Sequence, residues 1–523
     1  VSTNKLAVFS SFVIKVFILI LFLAAISNAQ PNPTRKVLTV NRPSYVVGEY
    51  IIYRIKGAVP NSLILWSSWK DGISTGEVDI CYGHRTDAFG NWSVRVGPWT
   101  DHLIGSWKKQ VKIGGYVYTV TFQVQPGPLS DFTSKVGQYF WSPPQYFPNT
   151  IDYAADRISQ LGGHAMHLAF FAGCNPQTTL LQRAQMNDAR MAFGNPDIKV
   201  YLLTTYGASG CGFDGKVFFD PKAYPAAAPL IERDYKALTL HLYQTYAGTG
   251  KRFVISTWEG DNVLHCGAAY HYARNSRLPP GPDGVVRDAY GNPMPVDPND
   301  PAGRSVPFRD YCNAIYPQIG IASPDEAHEG YRLWLEARQR GVRQGREEAA
   351  AQGYSGVEVY HAPEFNVINL LEYPKENGQL MSKNGAQVRF KSLLRDVLPN
   401  LETGFDFVSY SAYETTNLKL KDESTESLQT RVASDLDTIE QILGTRNIII
   451  GEFGYQRYSA DNRNGLTDDQ VVRRTEEVLD AALDWGVEAI FTWQMFDDQW
   501  GTFDSQGNML PLGRYFWQRY FRR

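Results

Sequence analysis

The sequence predicts an α/β protein, a (β/α)8 TIM barrel preceded by a small all-β, immunoglobulin-like sandwich. Three observations carry this. From Gly137 onward, short apolar runs alternate with helix-length amphipathic segments, the pattern of βα units around a parallel sheet. Before them, residues 36–126 read as strands separated by Gly, Pro, Asn and Asp, and Pro126-Gly127-Pro128 marks a linker between the two textures. With 523 residues, 43% of them apolar, the chain exceeds what one compact core usually holds.

At the N-terminus, Lys5 and Lys15 precede an apolar run from Val16 to Ile26, followed by Ser27-Asn28-Ala29. This pattern predicts a signal peptide over 1–29, because the run is shorter than the ~20 residues a bilayer span needs. The expected location is therefore secreted, periplasmic or extracellular, with no membrane span after cleavage. A formal net charge of -3, with no Lys/Arg block, excludes a nucleic-acid partner.

Within 36–126, Tyr118, Val120, Phe122 and Val124 alternate with Thr119, Thr121 and Gln123, the period of a half-buried strand. Similar segments run from Tyr50 to Lys56, Leu63 to Trp69 and Trp92 to Val96, enough for a small antiparallel sandwich. Packing is the expected role of most of its tryptophans, Trp66, Trp69, Trp92, Trp99 and Trp107, with glycan stacking as the rival.

The barrel is expected over 136–523. Its first strand is Gly137 to Ser142, with a helix through Ile151 to Leu161; the second is Ala165 to Ala172. Ile198 to Tyr206 is the third, with a helix from about Ala228 to Ala247. The fourth, Arg252 to Trp258, is separated from its helix, Asp325 to Gln352, by an insertion at about 263–324. Gly356 to His361 is the fifth, with a helix near Ala386 to Val397, and Phe405 to Tyr410 the sixth, with a helix from Ser427 to Leu443. Asn447 to Gly451 and Val487 to Trp493 are the seventh and eighth, followed by helices from Asp468 to Trp485 and Gly513 to Phe521. Alternation of eight strands with helices closes a ring, and such rings carry their chemistry at the C-terminal strand ends.

Two of those ends present a glutamate straight after an apolar run, Glu259 in ISTWEGDN and Glu452 in IIIGEFGY. Strands four and seven lie on opposite sides of the mouth, so the two carboxyls can face each other. Glycosidic bond cleavage needs such a pair, one to protonate the leaving oxygen and one to attack; at roughly 5 Å separation the anomeric configuration is retained. Glu364 in HAPEFN is the main competitor for the acid/base role. Trp141, Tyr206, Trp258 and Trp493 are candidates to line a sugar site, as is His361, although His361, His164 and His167 show no metal spacing and suit structural hydrogen bonds.

A barrel with glutamates ending strands four and seven resembles clan A of the glycoside hydrolases, in particular a family 5-like barrel. The resemblance covers Gly137 to Arg523. It implies Glu259 as acid/base, Glu452 as nucleophile, Tyr410 or Tyr413 as the strand-six group hydrogen-bonding the nucleophile, and Trp493 as the platform under the sugar. The sequence departs from the clan at Trp258, where members carry Asn; Asp261 and Asn262 are candidates for the missing polar contact. The expected activity is retaining hydrolysis of β-linked polysaccharide, oligosaccharide or glycoconjugate, with no metal or organic cofactor. The alternatives are a catalytically silent carbohydrate-binding or adhesion protein and a transglycosidase.

Five cysteines in an oxidising compartment leave at least one unpaired. Cys174 and Cys211 follow neighbouring strands two and three, and Cys266 and Cys312 both lie in the insertion, so those two pairs are expected to bridge, with Cys81 free.

Overall fold

The computed structural model describes residues 38–40, 44–46, 51–76, 85–96, 105–125, 131–141, 151–170, 178–206, 220–288, 291–318, 320–372, 388–416, 427–457 and 465–521. The expected signal peptide, Cys81, Cys174 and Cys211 lie outside them. Among the described residues no helix is long and apolar enough to cross a membrane. The chain divides into two compact units, the first reaching Ser130 and the second spanning Asp131–Phe521.

The first unit is a sandwich. One sheet orders β1 (Leu38–Val40), β3 (Ile51–Ile55) and β6 (Trp92–Val96); the other orders β2 (Ser44–Val46), β8 (Tyr116–Gln125), β7 (Gly105–Ile113), β4 (Ile64–Lys70) and β5 (Ile73–Gly76). All pairings are antiparallel except β2 with β8. Leu38, Tyr53 and Ile55 of one sheet and Trp66, Trp107, Phe122 and Val124 of the other form a single buried cluster, so Trp66 and Trp107 serve the core. Trp92 packs against that cluster, and Trp69 lies beside the Lys108 ammonium at 5.0 Å.

The second unit is a closed parallel barrel. Its strands are β9 (Val136–Phe140), β10 (Ala165–Ala169), β11 (Val200–Thr204), β12 (Lys251–Ser256), β13 (Val357–Ala362) continued by β14 (Glu364–Phe365), β17 (Val408–Ser411), β18 (Ile448–Phe453) and β19 (Ala489–Thr492). Each pairs in parallel with its neighbour, and β19 returns to β9. Pro363 interrupts the fifth strand, so β13 pairs with β12 and β14 with β17. β15 (Leu371–Glu372) and β16 (Val388–Arg389) form a separate two-stranded antiparallel sheet.

Helices pack outside, and their ends follow local chemistry. Ser323 caps the helix Pro324–Ala351, with Pro at its start and Asp325 and Glu326 in its first turn. Gly444 and Gly486 end the helices Leu428–Leu443 and Asp468–Trp485 in the left-handed conformation, which costs glycine least. Between the second and third strands lie two helices that the sequence reading did not assign, Leu180–Gln185 and Asn187–Gly194. A capping box formed by Thr179 and Gln182 starts the first of them.

The helix expected near Ala386 to Val397 is not there. Residues 388–389 are strand, and only a π-type turn, Leu393–Val397, and a 3-10 turn, Leu398–Asn400, follow. The turn starts only at Ser392, where Asp261 accepts from Leu393 N–H at 2.7 Å and Asp396 from Ser392 N–H at 2.8 Å, as caps of a helical start do. Pro399 then prevents continuation. The alternation is therefore broken after strand five.

Side chains inside the ring follow the period of two. Ala165, Leu202, Val254, Ala362, Phe407, Ile449, Ala489 and Phe491 form an apolar plug at its base. Two residues further along the strands stand His167, Thr204, Ser256, Glu364 and Ser409, all fully buried, and above Gly137 stands Tyr139. Further up come Trp141, Trp258, Ser411 and Trp493. The barrel thus grades from apolar to polar to aromatic toward its C-terminal mouth.

Candidate active site

Three glutamates meet at that mouth. Glu259 follows β12, Glu364 opens β14 and Glu452 lies in β18, and their exposures are 6%, 0% and 4%. Strict alternation after Ile449 would turn Glu452 away from the lumen. A register shift prevents this: Tyr410 pairs with Ile450 but Ser411 pairs with Glu452, so Gly451 is the extra residue of a bulge that re-aims the carboxyl. Gly451 also has no room for a side chain, because a Cβ there would lie 2.1 Å from Ser409 Oγ and 2.2 Å from Glu364 Oε2.

Glu259 is held at both oxygens. Ser411 Oγ lies 2.5 Å from Oε1, and Asn262 Nδ2 donates to Oε2. Burial raises the pKa of Glu259, and these two side chains pull it back. A serine hydroxyl can donate to a carboxylate or accept from a carboxylic acid, while the amide donates in either state. The pair therefore suits a group that must cycle between acid and base.

Glu452 is different. Burial first, then the charges of Glu259 and Glu364, drive its pKa well up, and a hydrogen bond from the Tyr413 hydroxyl opposes them. Its Oε2 is buried and finds no hydrogen-bond partner among the described residues. Glu364 accepts the Glu259 backbone N–H at 3.2 Å on Oε1 and pairs with Ser409 Oγ at 2.6 Å through Oε2. Burial, with the Glu259 charge, pushes it up to about 8 against the pull of Ser409. Three carboxyls this close in a low-dielectric interior cannot all be ionised near neutrality.

Around them stands an aromatic wall. Trp141 lies 6.2 Å from Trp258 and 5.7 Å from Trp493, and Tyr139 lies 5.2 Å from Trp493 between ring centroids. Trp141, Trp258 and Trp493 are each partly exposed at the same end of the barrel as the carboxyls.

Other residues expected at the site are engaged elsewhere. Of the two strand-six tyrosines, Tyr413 reaches Glu452; Tyr410, in phase with outward-facing Val408, hydrogen-bonds Thr415 at 2.7 Å and stacks on Phe365. His361, in phase with Val357 and Val359, faces the helix Pro324–Ala351, where Arg338 Nε donates to it at 3.1 Å and Gln339 Oε1 meets Nδ1 at 3.1 Å. Arg338 itself is fully buried, bonded to the carbonyls of Thr205 at 2.7 Å and Ser256 at 2.6 Å, and braces the ends of strands three and four. Tyr206 is buried and stacks on Trp334 at 6.2 Å.

Asp261 is turned to backbone rather than to the polar contact that Trp258 displaces, whereas Asn262, partly exposed, lies against Glu259. Asp261 is fully buried and accepts three backbone N–H groups, from Asn366, Val367 and Leu393. Asn262 gives one amide N–H to Glu259 and accepts Ala269 N–H at 2.9 Å on its oxygen. Both organise the loops around Glu259.

The insertion begins with the helices Gly260–Leu264 and Ala269–Arg274 and ends with Phe308–Gln318. A disulfide joins Cys266 to Cys312 with 5.8 Å between Cα atoms. Closing a loop of this separation, 46 residues, restricts the unfolded chain by on the order of 4 kcal/mol. His265 packs on Phe390 at 4.6 Å, so the start of the insertion is anchored to the segment after strand five.

No family model matches the chain, and no curated protein matches it in sequence. Solved structures do. A family 5 xyloglucanase from Paenibacillus pabuli, in complex with ligand, matches with a TM-score of 0.40 at 9% identity, over 74% of this chain and 99% of its own. A β-glucosidase in its apo form matches with a TM-score of 0.40 at 12% identity, over 71% of this chain and 87% of its own. An exo-β-1,4-mannosidase from Opitutaceae bacterium strain TAV5 matches with a TM-score of 0.38 at 14% identity, over 74% of this chain and 59% of its own.

Proposed function

We propose that this protein is an exported glycoside hydrolase that cleaves β-linked glycans with retention, Glu452 attacking the anomeric carbon and Glu259 serving as acid/base. The observation that supports it best is the difference between the two carboxyls. Glu259 is set between a hydroxyl that works in either direction and an amide, whereas Glu452 accepts from the Tyr413 hydroxyl, a donor that favours the carboxylate. A phenol that donates to a carboxylate holds it ionised and oriented for attack, whereas a hydroxyl that works in either direction suits the group that exchanges a proton. With Glu259 and Glu364 both neutral, the like charges that raise Glu452 are gone and the Tyr413 hydroxyl favours its anion. Glu259 then gives its proton to the leaving oxygen while ionised Glu452 forms the glycosyl ester; in the second step Glu259 takes a proton from water, which displaces Glu452. Once esterified, Glu452 carries no charge, so the pKa of Glu259 falls and Glu259 stands ionised as the base that the second step needs.

The wall of Trp141, Trp258 and Trp493 supports a sugar as substrate, because pyranose faces stack on indole while their hydroxyls reach the polar layer. A panel of β-linked glycans and aryl β-glycosides, with NMR detection of the first-formed hemiacetal, tests the reading. The expected result is turnover of at least one member with a β-configured first product. Affinity without turnover across the panel would favour a binding protein, and an α-configured first product would rule out the double displacement.

A further inference from the structure

Two carboxyls suffice for the reaction just described, and the third is the most deeply placed. Glu364 is fully buried beneath the pair, so it does not meet the substrate. Its contacts reach three strand ends: the Glu259 peptide after strand four, Ser409 of strand six and the face of Gly451 in strand seven. Its own N–H is fixed by Thr257 Oγ1 at 2.9 Å.

We propose that Glu364 is a positioning residue that works as a neutral carboxylic acid, pinning the Glu259 peptide to Ser409 beneath Gly451 and so fixing the gap between Glu259 and Glu452. The proposal rests on the hydrolase reading above. In the neutral form Oε1 accepts the Glu259 N–H and the protonated Oε2 donates to Ser409 Oγ, so both contacts are used without adding a third charge. The titratable groups facing it are Glu259 after strand four, Glu452 on strand seven, Tyr139 on strand one, Tyr413 after strand six and Tyr331 from the helix Pro324–Ala351. All are acids or phenols, and an anion among them would be disfavoured by burial and by like charge. The missing Cβ at Gly451 is the second sign of a built contact, since any other residue there would overlap the carboxyl and Ser409.

Glu364→Gln and Glu364→Ala separate the possibilities. The glutamine amide accepts and donates at the same two places as the neutral acid, whereas alanine removes both contacts. The expected kcat loss is less than about tenfold for E364Q and at least about hundredfold for E364A, with KM within about threefold of wild type in both. The acid limb of kcat/KM should coincide in wild type and E364Q. Infrared difference spectra at pH 7 should show a protonated-carboxyl C=O band in wild type that E364Q lacks.

A kcat loss in E364Q as large as in E364A, with the acid limb moved to lower pH, would overturn the proposal, because it would mean that the anion of Glu364 does the work. Absence of the infrared difference would overturn it equally. If E364A does not fold, E364Q and the spectra still decide. If wild type turns over nothing on the glycan panel, the hydrolase reading fails while the spectra still report whether Glu364 is neutral.

Discussion

Replacing Glu452 by glycine is expected to lower turnover of every substrate by about 10⁴-fold or more, because no other group is placed to form the glycosyl ester. Glu364 cannot substitute, being buried beneath the pair and committed to Ser409 and the Glu259 peptide. Removing Glu259 should act differently. Glu259→Ala loses protonation of the leaving group and activation of water, worth about 10² to 10⁴-fold on natural glycans. With dinitrophenyl β-glycosides, whose leaving group needs little protonation, its first step should persist and the intermediate accumulate. Azide needs no general base, so it should rescue Glu259→Ala and yield a β-azide. In Glu452→Gly it should enter from the vacated side and yield an α-azide. Wild-type activity of either variant on a natural glycan removes that residue from the mechanism, and azide rescue of Glu364→Ala in place of Glu259→Ala would move the acid/base to strand five.

The second large effect is on stability. Burial raises Glu364 from 4.5 to about 8 and Asp261 from 3.8 to about 7 in the folded protein. A carboxyl whose folded pKa lies above its unfolded value contributes its full stability below the unfolded value and loses it as pH rises toward the folded one. The window runs from about pH 4 to pH 8, so the protein should unfold at a lower temperature at pH 8 than at pH 5. For Glu364 alone, moving from 4.5 to about 8 corresponds to on the order of 4 kcal/mol at the top of the window. Glu364→Gln carries no titrating proton, so its Tm should fall less between pH 5 and pH 8 and exceed that of wild type at pH 8. Parallel Tm curves for the two proteins would show that Glu364 ionises alike in both states. Melting curves at several pH values decide the matter.

Much of the barrel was legible because its strands are buried on both faces and read as short apolar runs; all eight are found where those runs lie. The segment after strand five misled because its apolar residues have helical spacing, while residues 388–389 are strand and Pro399 stops the turn that starts at Ser392. The first of the two helices after strand two is signalled in the sequence by the Thr179 to Gln182 capping box.

At the site, Glu259 and Glu452 stood out as polar residues closing apolar runs. The orientation of Glu452 was not legible, because it depends on a bulge at Gly451 that alternation alone does not show. The phases of His361 and Tyr410 were legible: each follows valines that face the helices, and each turned out to serve the packing behind the strand. Asn262 could not be assigned to Glu259 from sequence, since that contact exists only because a short helix, Gly260–Leu264, folds back on the strand end.

The central claim is that Glu452 becomes covalently bound to sugar. Its most direct test is to mix Glu259→Ala with dinitrophenyl β-glycosides of several sugars, quench in acid, measure the intact mass and map the modified peptide. The account predicts a mass gain of one glycosyl group for at least one sugar, located on Glu452. A glycosyl group on Glu259→Ala found at any other residue, or a first-step burst of dinitrophenol with no adduct, would contradict it.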